Sequence, residues 1–347
     1  MIENKATVLG LMSGSSLDGL DACLCSFTNL NGIWSFKIEE ARTLEIPSIL
    51  KEELRQSSQL SSQDLLALDV KYGSWIGEQI KEIARPSNLI SIHGHTVHHE
   101  PSKGFSLQIG SAEKIALVTK KPVVSNFRNK DILLGGQGAP LVPMGEKLLF
   151  PDFDAFINLG GICNATFNAG ENLVAGDIGP FNQVFNHYSN MMGYAMDKGG
   201  ALSASGNKNE DLIESWKQIT FFTKSFPKSL ANQWVMDNFF SYRDYEPADI
   251  LCSFAHFISD EISLVINKNN PRKVFVTGGG AYNDFTMSLL REKCNCEIVI
   301  PSDDLVNYKE ALIFAILGLL KTNGEINVLS SATGANCDSS SGTIYQP

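Results

Sequence analysis

Three times along the chain an apolar run ends in a glycine-rich turn, and this recurrence limits the folds open to it. Thr7, Val8 and Leu9 lead into Gly10-Leu11-Met12-Ser13-Gly14, Phe153 to Leu159 ends in Gly160-Gly161, and Lys273 to Val276 is followed by Gly278-Gly279-Gly280. The second and third turns share a GGxxN spacing, ending at Asn164 and Asn283. Glycine lets backbone N–H groups approach an anion closely, and α/β proteins gather their ligands at strand ends. Two similar domains, with their turns facing a common cleft, are therefore expected.

The intervening pattern agrees. The first hundred or so residues read as a hairpin, a third strand at Trp34 to Thr43, then alternating helices and strands. Pro47 starts one helix, and Ser61 or Ser62 caps a longer one with Leu65, Leu66, Leu68, Val70 and Ile76 on its buried side. Leu89 to Ile92 is a short strand, and His93 to Pro101 reads as a loop. Three antiparallel strands followed by alternating helix and strand is the ribonuclease-H-like pattern. It restarts at Phe153, and the long helices Pro247 to Ile266 and Asn307 to Lys321 follow. At 347 residues the chain is long enough for two domains.

A formal charge of -10 argues against a nucleic-acid partner. No signal peptide is apparent, and the late apolar run Ala311 to Leu320 is too short for a membrane span, so a cytoplasmic protein with no membrane partner is expected. The seven cysteines include Cys23/Cys25 and Cys294/Cys296, spaced CxC rather than CxxC, and read as reduced structural thiols. The aromatics between Phe221 and Trp234 read as exposed and point to an interface, such as that of a homodimer.

Several residues are placed for chemistry. Gly14, Gly19 and the hydroxyls of Ser13, Ser15 and Ser16, with Asp18 and Asp21, suit a phosphate cradle, although an ordinary glycine-bearing hairpin would look the same. Asp177, between Gly176 and Ile178-Gly179-Pro180, is either a general base at a strand end or a cap of the helix at Phe181. The stretch from His93 to Glu100 holds four of the six histidines; a polar substrate loop fits it better than a zinc site, because neither cysteine nor a carboxylate cluster is near in sequence. Arg128 and Lys130 contact an anionic ligand or lie in a solvated connection. Glu310, on an otherwise apolar helix face, is either half of a buried ion pair or reaches the cleft.

Taken together, these segments resemble the anhydro-N-acetylmuramic acid kinase family of the sugar-kinase/actin-like ATPase superfamily. The family motif GxMSGTSLDGxD is met by Gly10 to Asp21 with Ser15 for threonine, and HGQTVxH by His93 to His99 with His95 for glutamine. LQIG is Leu107 to Gly110, and DFRxxDxxxGGQGAPLVP runs from Asn126 to Pro143 with asparagine first. NxGGIxN is Asn158 to Asn164, DTGPGN is Asp177 to Asn182, GGGxxN is Gly278 to Asn283, EAxxFAxL is Glu310 to Leu317, and SxTGA is Ser331 to Ala335.

The resemblance implies an α/β chain with two ribonuclease-H-like domains, residues 1–125 joined by 325–347, and residues 126–324, flanking a nucleotide cleft. It implies an enzyme that uses ATP and Mg²⁺ to open the 1,6-anhydro ring of a small anhydro sugar with water and to phosphorylate O6, giving N-acetylmuramate 6-phosphate for cell-wall recycling. Asp177 would be catalytic. Gly14, Ser15, Ser16, Leu17, Asp18, Gly19, Leu20 and Asp21 would hold the phosphates, with Asp18 holding Mg²⁺ through water. Gly160, Gly161, Gly278, Gly279 and Gly280 would complete the ATP site, and His93, Arg128 and Glu310 the sugar site. Phe181 replaces a glycine beside Asp177, His95 replaces a glutamine, and Ser229 to Gln233 departs from the family's STGRE. Those departures leave open another anhydro sugar, such as levoglucosan, or a catalytically impaired regulatory paralogue.

Overall fold

Val8, Leu9, Leu11, Leu20, Ala22, Cys23, Cys25 and Phe27 are almost wholly buried, as strands covered on both faces require. The computed structural model describes residues 4–14, 17–169, 172–242 and 244–347. The early strands are β1 (Asn4–Met12), β2 (Leu20–Leu30), β3 (Ile33–Leu44), β4 (Leu89–Ile92), β5 (His95–Glu100), β6 (Phe105–Ile109) and β7 (Val123–Ser125). A second set follows: β8 (Ala155–Leu159), β9 (Ile162–Ala169), β10 (Asn172–Pro180), β11 (Lys273–Thr277) and β12 (Glu297–Val299). The chain then returns to the first set with β13 (Thr343–Tyr345).

The first unit, residues 1–151 with 308–347, contains a six-stranded sheet in the order β13-β7-β4-β1-β2-β3. β1 to β3 are antiparallel neighbours, whereas β4 and β7 run parallel to β1. One face is covered by the Ser62–Ile80 and Ala112–Thr119 helices, whose Leu68, Tyr72, Ile76, Ile115 and Ala116 share a core with Leu9, Leu11 and Ile90. On β1, a Cβ at Gly10 would lie 1.9 Å from the carbonyl oxygen of Ala311, so the Asp303–Thr322 helix touches the strand backbone itself. Gly10 is thus a packing glycine inside β1 rather than part of the turn.

The second unit, residues 152–307, repeats the plan with the order β10-β9-β8-β11-β12. Again the first three strands are antiparallel and the last two parallel to the first, which is the ribonuclease-H-like order. Its core gathers Ile157, Phe181, Phe185, Trp216, Phe239, Phe254, Phe257 and Val276. The fold class read from the sequence is present in both units.

Four readings are corrected. The unit boundaries fall at 151/152 and 307/308 rather than 125/126 and 324/325. Residues 129–149 belong with the first unit because Asp131 bonds Thr333, Glu146 pairs with Lys309, and Gly145 abuts Ile313. His95 to Glu100 is a strand, paired with β6, rather than loop. Leu66 and Val70, four apart on the Ser62–Ile80 helix, face solvent at 68% and 50% exposure. The aromatics from Phe221 to Trp234 pack against the second unit's core, so they do not form the exposed surface that motivated a homodimer. All cysteines are free thiols, with Cys23, Cys25, Cys163 and Cys252 buried. Among the described residues no helix is long and apolar enough to cross a membrane.

Candidate active site

In the first unit the parallel strands β1, β4 and β7 deliver three segments to one end of the sheet, where open α/β sheets bind ligands. The 13–19 turn follows β1, His93 follows β4, and Arg128 follows β7 by three residues. In the turn, the Leu17 N–H donates to Gly14 O at 3.2 Å, and Leu17 takes a φ of +56°. A left-handed residue among ordinary ones directs successive N–H groups into an anion-binding concavity. Gly14 and Asp18 are exposed, Leu17, Gly19 and Leu20 are buried, and Asp21 is partly buried on β2; Ser15 and Ser16 lie outside the described residues. Thr43 on β3 donates its hydroxyl to Asp21 at 2.6 Å.

His93 and Arg128, 35 residues apart, are brought together. The Nε and Nη2 of Arg128 lie 3.1 and 2.7 Å from His93 Nε2, and Nη1 donates to the Gly138 carbonyl at 2.7 Å. A guanidinium only donates, so Nε2 is the acceptor and the imidazole proton sits on Nδ1, which donates to Gly94 O at 2.8 Å. Burial, with the charge of Arg128, holds His93 well below the ordinary imidazole range and therefore neutral. Burial also pushes Arg128 down to about 10, against the attraction of Glu310.

Glu310 enters on the helix that crosses β1 at Gly10. Burial raises its carboxyl, Lys309 pulls it down, Asp21 and Glu146 raise it, and Arg128 lowers it. Asp21 is itself raised, chiefly by burial, against the Thr43 hydrogen bond and with repulsion from Asp18. The phosphate-turn carboxylates and the expected sugar residues thus form one electrostatic cluster. Beside it, Lys309 Nζ meets Glu146 Oε1 at 2.7 Å, with side chains only 5% and 3% exposed. So Glu310 is not the half of the ion pair that sequence left open; its neighbour Lys309 is.

The second unit places its glycine turns together. Gly160-Gly161 joins β8 to β9, and Gly278-Gly279-Gly280 follows β11, the parallel neighbour of β8. The Asn182–Met191 helix starts there, with Asn182 N donating to Gly160 O at 3.0 Å and Asn182 Nδ2 to Leu159 O at 3.0 Å. Asp177 lies on β10 opposite Asn164, at a bulge. It caps no helix, since the Phe181 cap position has no side-chain bond. Instead the Leu230 N–H donates to Asp177 Oδ2 at 2.8 Å, and the Asp177 N–H donates to Lys228 O at 2.7 Å. Burial raises its carboxyl above the ordinary aspartate range, while the Leu230 N–H and the Ser229 hydroxyl pull it down. A carboxylate raised by burial with one oxygen held is suited to proton acceptance at the other.

The departures take on specific meanings. Phe181 is wholly buried, 5.1 Å from Phe185 between ring centroids, and a Cβ at Gly280 would lie 2.3 Å from its ring. It fills core rather than the space around Asp177. His95 turns to Leu54 O at 3.2 Å, at the end of the Ser48–Arg55 helix. The Pro227 to Leu230 segment, despite its altered sequence, is what holds Asp177. Sequence reasoning missed Ser229, Leu230, Asp131 and Thr333; the last two stand in recognised motifs, but nothing local shows that they bond each other.

A family model described as anhydro-N-acetylmuramic acid kinase matches residues 6–347. The chain is 33% identical to the anhydro-N-acetylmuramic acid kinase of Francisella tularensis subsp. novicida, over 96% of this chain and 97% of that one. It is 32% identical to the enzyme of the same name from Clostridioides difficile, covering 94% and 95%, and 32% identical to that from Shewanella sediminis, covering 99% of each. A family model over nearly the whole chain, with relatives of 32–33% identity covered nearly end to end, shows that the chain belongs to the anhydro-N-acetylmuramic acid kinase family.

Proposed function

We propose that Asp177 is the base of the reaction and that His93, Arg128 and Glu310 hold the sugar. The activity is that of an ATP-dependent kinase which opens the anhydro ring of 1,6-anhydro-N-acetylmuramic acid and phosphorylates it, as in cell-wall recycling. The anhydro sugar has no free 6-hydroxyl, so the base acts on water. The water oxygen bonds to C1 as its proton passes to Asp177 and the C1–O6 bond breaks. The released O6 takes the γ-phosphoryl group of ATP, leaving ADP and N-acetylmuramate 6-phosphate. The observation that carries this is the Asp177 carboxylate at the bulge of β10, with Oδ2 held by the Leu230 N–H and the group raised by burial.

The residues fit the nucleotide. Gly14 and Asp18 are exposed on either side of the left-handed Leu17, and at Gly279 the nearest atom to a Cβ would be Asn182 Nδ2 at 3.7 Å, which leaves room for a ligand there, whereas Gly278 and Gly280 pack against Asn158, Leu159 and Phe181. Magnesium, when bound, supplies charge neutralisation to the phosphates, and Asp18 would hold it through water. The neutral His93 orients Arg128, whose charge suits the lactyl carboxylate of the sugar. The reaction belongs in the cytoplasm, where ATP is supplied.

The test is a product assay by mass spectrometry with ATP and the anhydro sugar, wild type against Asp177→Asn. Wild type should yield ADP and the ring-opened 6-phosphate, and the variant should lose about 10²–10⁴-fold in turnover with ATP affinity retained. A variant that still turns over removes Asp177 from the base role, and a wild type that makes no product removes the substrate.

A further inference from the structure

The Gly138 carbonyl that steers Arg128 is itself held. Its N–H donates to Asp131 Oδ2 at 2.8 Å, and its φ of +67° needs glycine. The other oxygen of that carboxylate, Oδ1, accepts the hydroxyl of Thr333 at 2.7 Å, across 202 residues of sequence. A second bond runs beside the first, from Gln137 N to Thr333 O at 2.9 Å. Asp131 is 0% exposed and Thr333 2%. A Cβ at Gly136 would lie 2.2 Å from Asp131 Oδ2, so the turn closes directly on the carboxylate.

This is an unusual way to use a buried carboxylate. Buried charges are ordinarily paired with a cation, whereas the partners here are a backbone N–H and a hydroxyl. Both lead to the guanidinium: the N–H belongs to the residue whose carbonyl accepts from Arg128 Nη1, and the hydroxyl anchors the C-terminal segment under the same turn. Arg128 spends three of its five N–H groups on His93 and Gly138, which leaves two to meet a ligand. Their direction depends on where Gly138 O sits.

We propose that Asp131 and Thr333 are positioning residues for Arg128, so that the C-terminal segment sets the enzyme's affinity for its sugar. The proposal rests on the reading of Arg128 as a sugar contact. Steady-state kinetics of the full chain test it, with sugar and ATP varied separately. Thr333→Val removes the hydroxyl at constant shape and should raise the sugar KM about tenfold, the loss of a hydrogen bond to a charged group, with kcat and the ATP KM little changed. Thr333→Ser should restore it. In an Arg128→Ala background, Thr333→Val should add nothing, because both act through one contact. Asp131→Asn keeps the shape and one acceptor, carries the same expectation, and serves where Thr333→Val does not fold. An unchanged sugar KM in both Thr333→Val and Asp131→Asn, an equal rise in both KM values, or a further rise in the Arg128→Ala background overturns the proposal while Arg128 keeps its role. An unchanged sugar KM in Arg128→Ala itself overturns the Arg128 reading and this proposal with it.

Discussion

Gly10 offers a sharp test of how the sheet and the site are joined. A Cβ there would lie 1.9 Å from Ala311 O and 2.9 Å from Ala315 Cβ, whereas ordinary contact begins at 3.4 Å. Gly10→Ala therefore drives β1 and the Asp303–Thr322 helix apart by about 1.5 Å, the difference between 3.4 and 1.9 Å. Overpacking of this kind costs about 1–3 kcal/mol, which a folded domain tolerates. Its effect on catalysis should be larger. Glu310 immediately precedes Ala311 and moves with it, and misplacement of a positioning group by about 1 Å can lower turnover about 10²-fold. Urea unfolding would establish that the variant is folded, and ADP release at limiting and saturating sugar would give kcat/KM. The expected result is a loss of about 100-fold in kcat/KM for the sugar in a folded protein. A Gly10→Ala protein with wild-type stability and kcat/KM within about threefold of wild type would refute the reasoning, because the helix could not then be seated on the strand at that point.

Three more perturbations address the remaining assignments. Lys309→Met leaves the Glu146 carboxylate without its cation in the interior and should cost about 3–5 kcal/mol by urea unfolding, most of it recovered by adding Glu146→Leu; a single-variant loss below about 1 kcal/mol would mean that the pair is solvated. Phe181→Ala should cost about 3–5 kcal/mol and leave kcat per folded molecule unchanged, as a core residue would; lost turnover at full stability would return Phe181 to the site. The proposed base role of Asp177 requires its ionised form, so kcat/KM should fall as the pH drops through its folded value, which burial raises above the ordinary 3.8. Ser229→Ala removes a hydrogen bond that favours the ionised form, so the acid limb of the kcat/KM profile should move to higher pH; a limb that stays or moves down contradicts the clamp.

The parts legible in sequence were those encoded locally. Apolar runs ending in glycines marked the strand ends of both units, and the Ser61 cap was readable because capping acts over three residues, as its bond from Asp64 N shows. His93, Arg128 and Glu310 were named through motifs, and the first unit does bring them into one electrostatic cluster. What failed was decided by packing. β5 was missed because His95-Thr96-Val97-His98-His99 lacks apolar alternation and owes its extension to pairing with β6. Leu66 and Val70 were placed inside because they are apolar, although apolar side chains are common on surfaces. Phe181 looked like an intrusion on the site until its ring was seen against Gly280, and the Asp131–Thr333 bond joins residues 202 positions apart.

The first unit is made of residues 1–151 and 308–347, and β13, at the sheet edge beside β7, is Thr343–Tyr345. During synthesis, when domains generally fold as units from the N-terminal side, this unit cannot be finished in the order in which it is begun. Its first 151 residues leave the ribosome lacking the segment that covers Gly10, pairs Lys309 with Glu146 and holds Asp131. Residues 152–307, by contrast, are one continuous stretch of the chain. Until residues 308–347 are made, β7 has no partner on the edge that β13 later pairs.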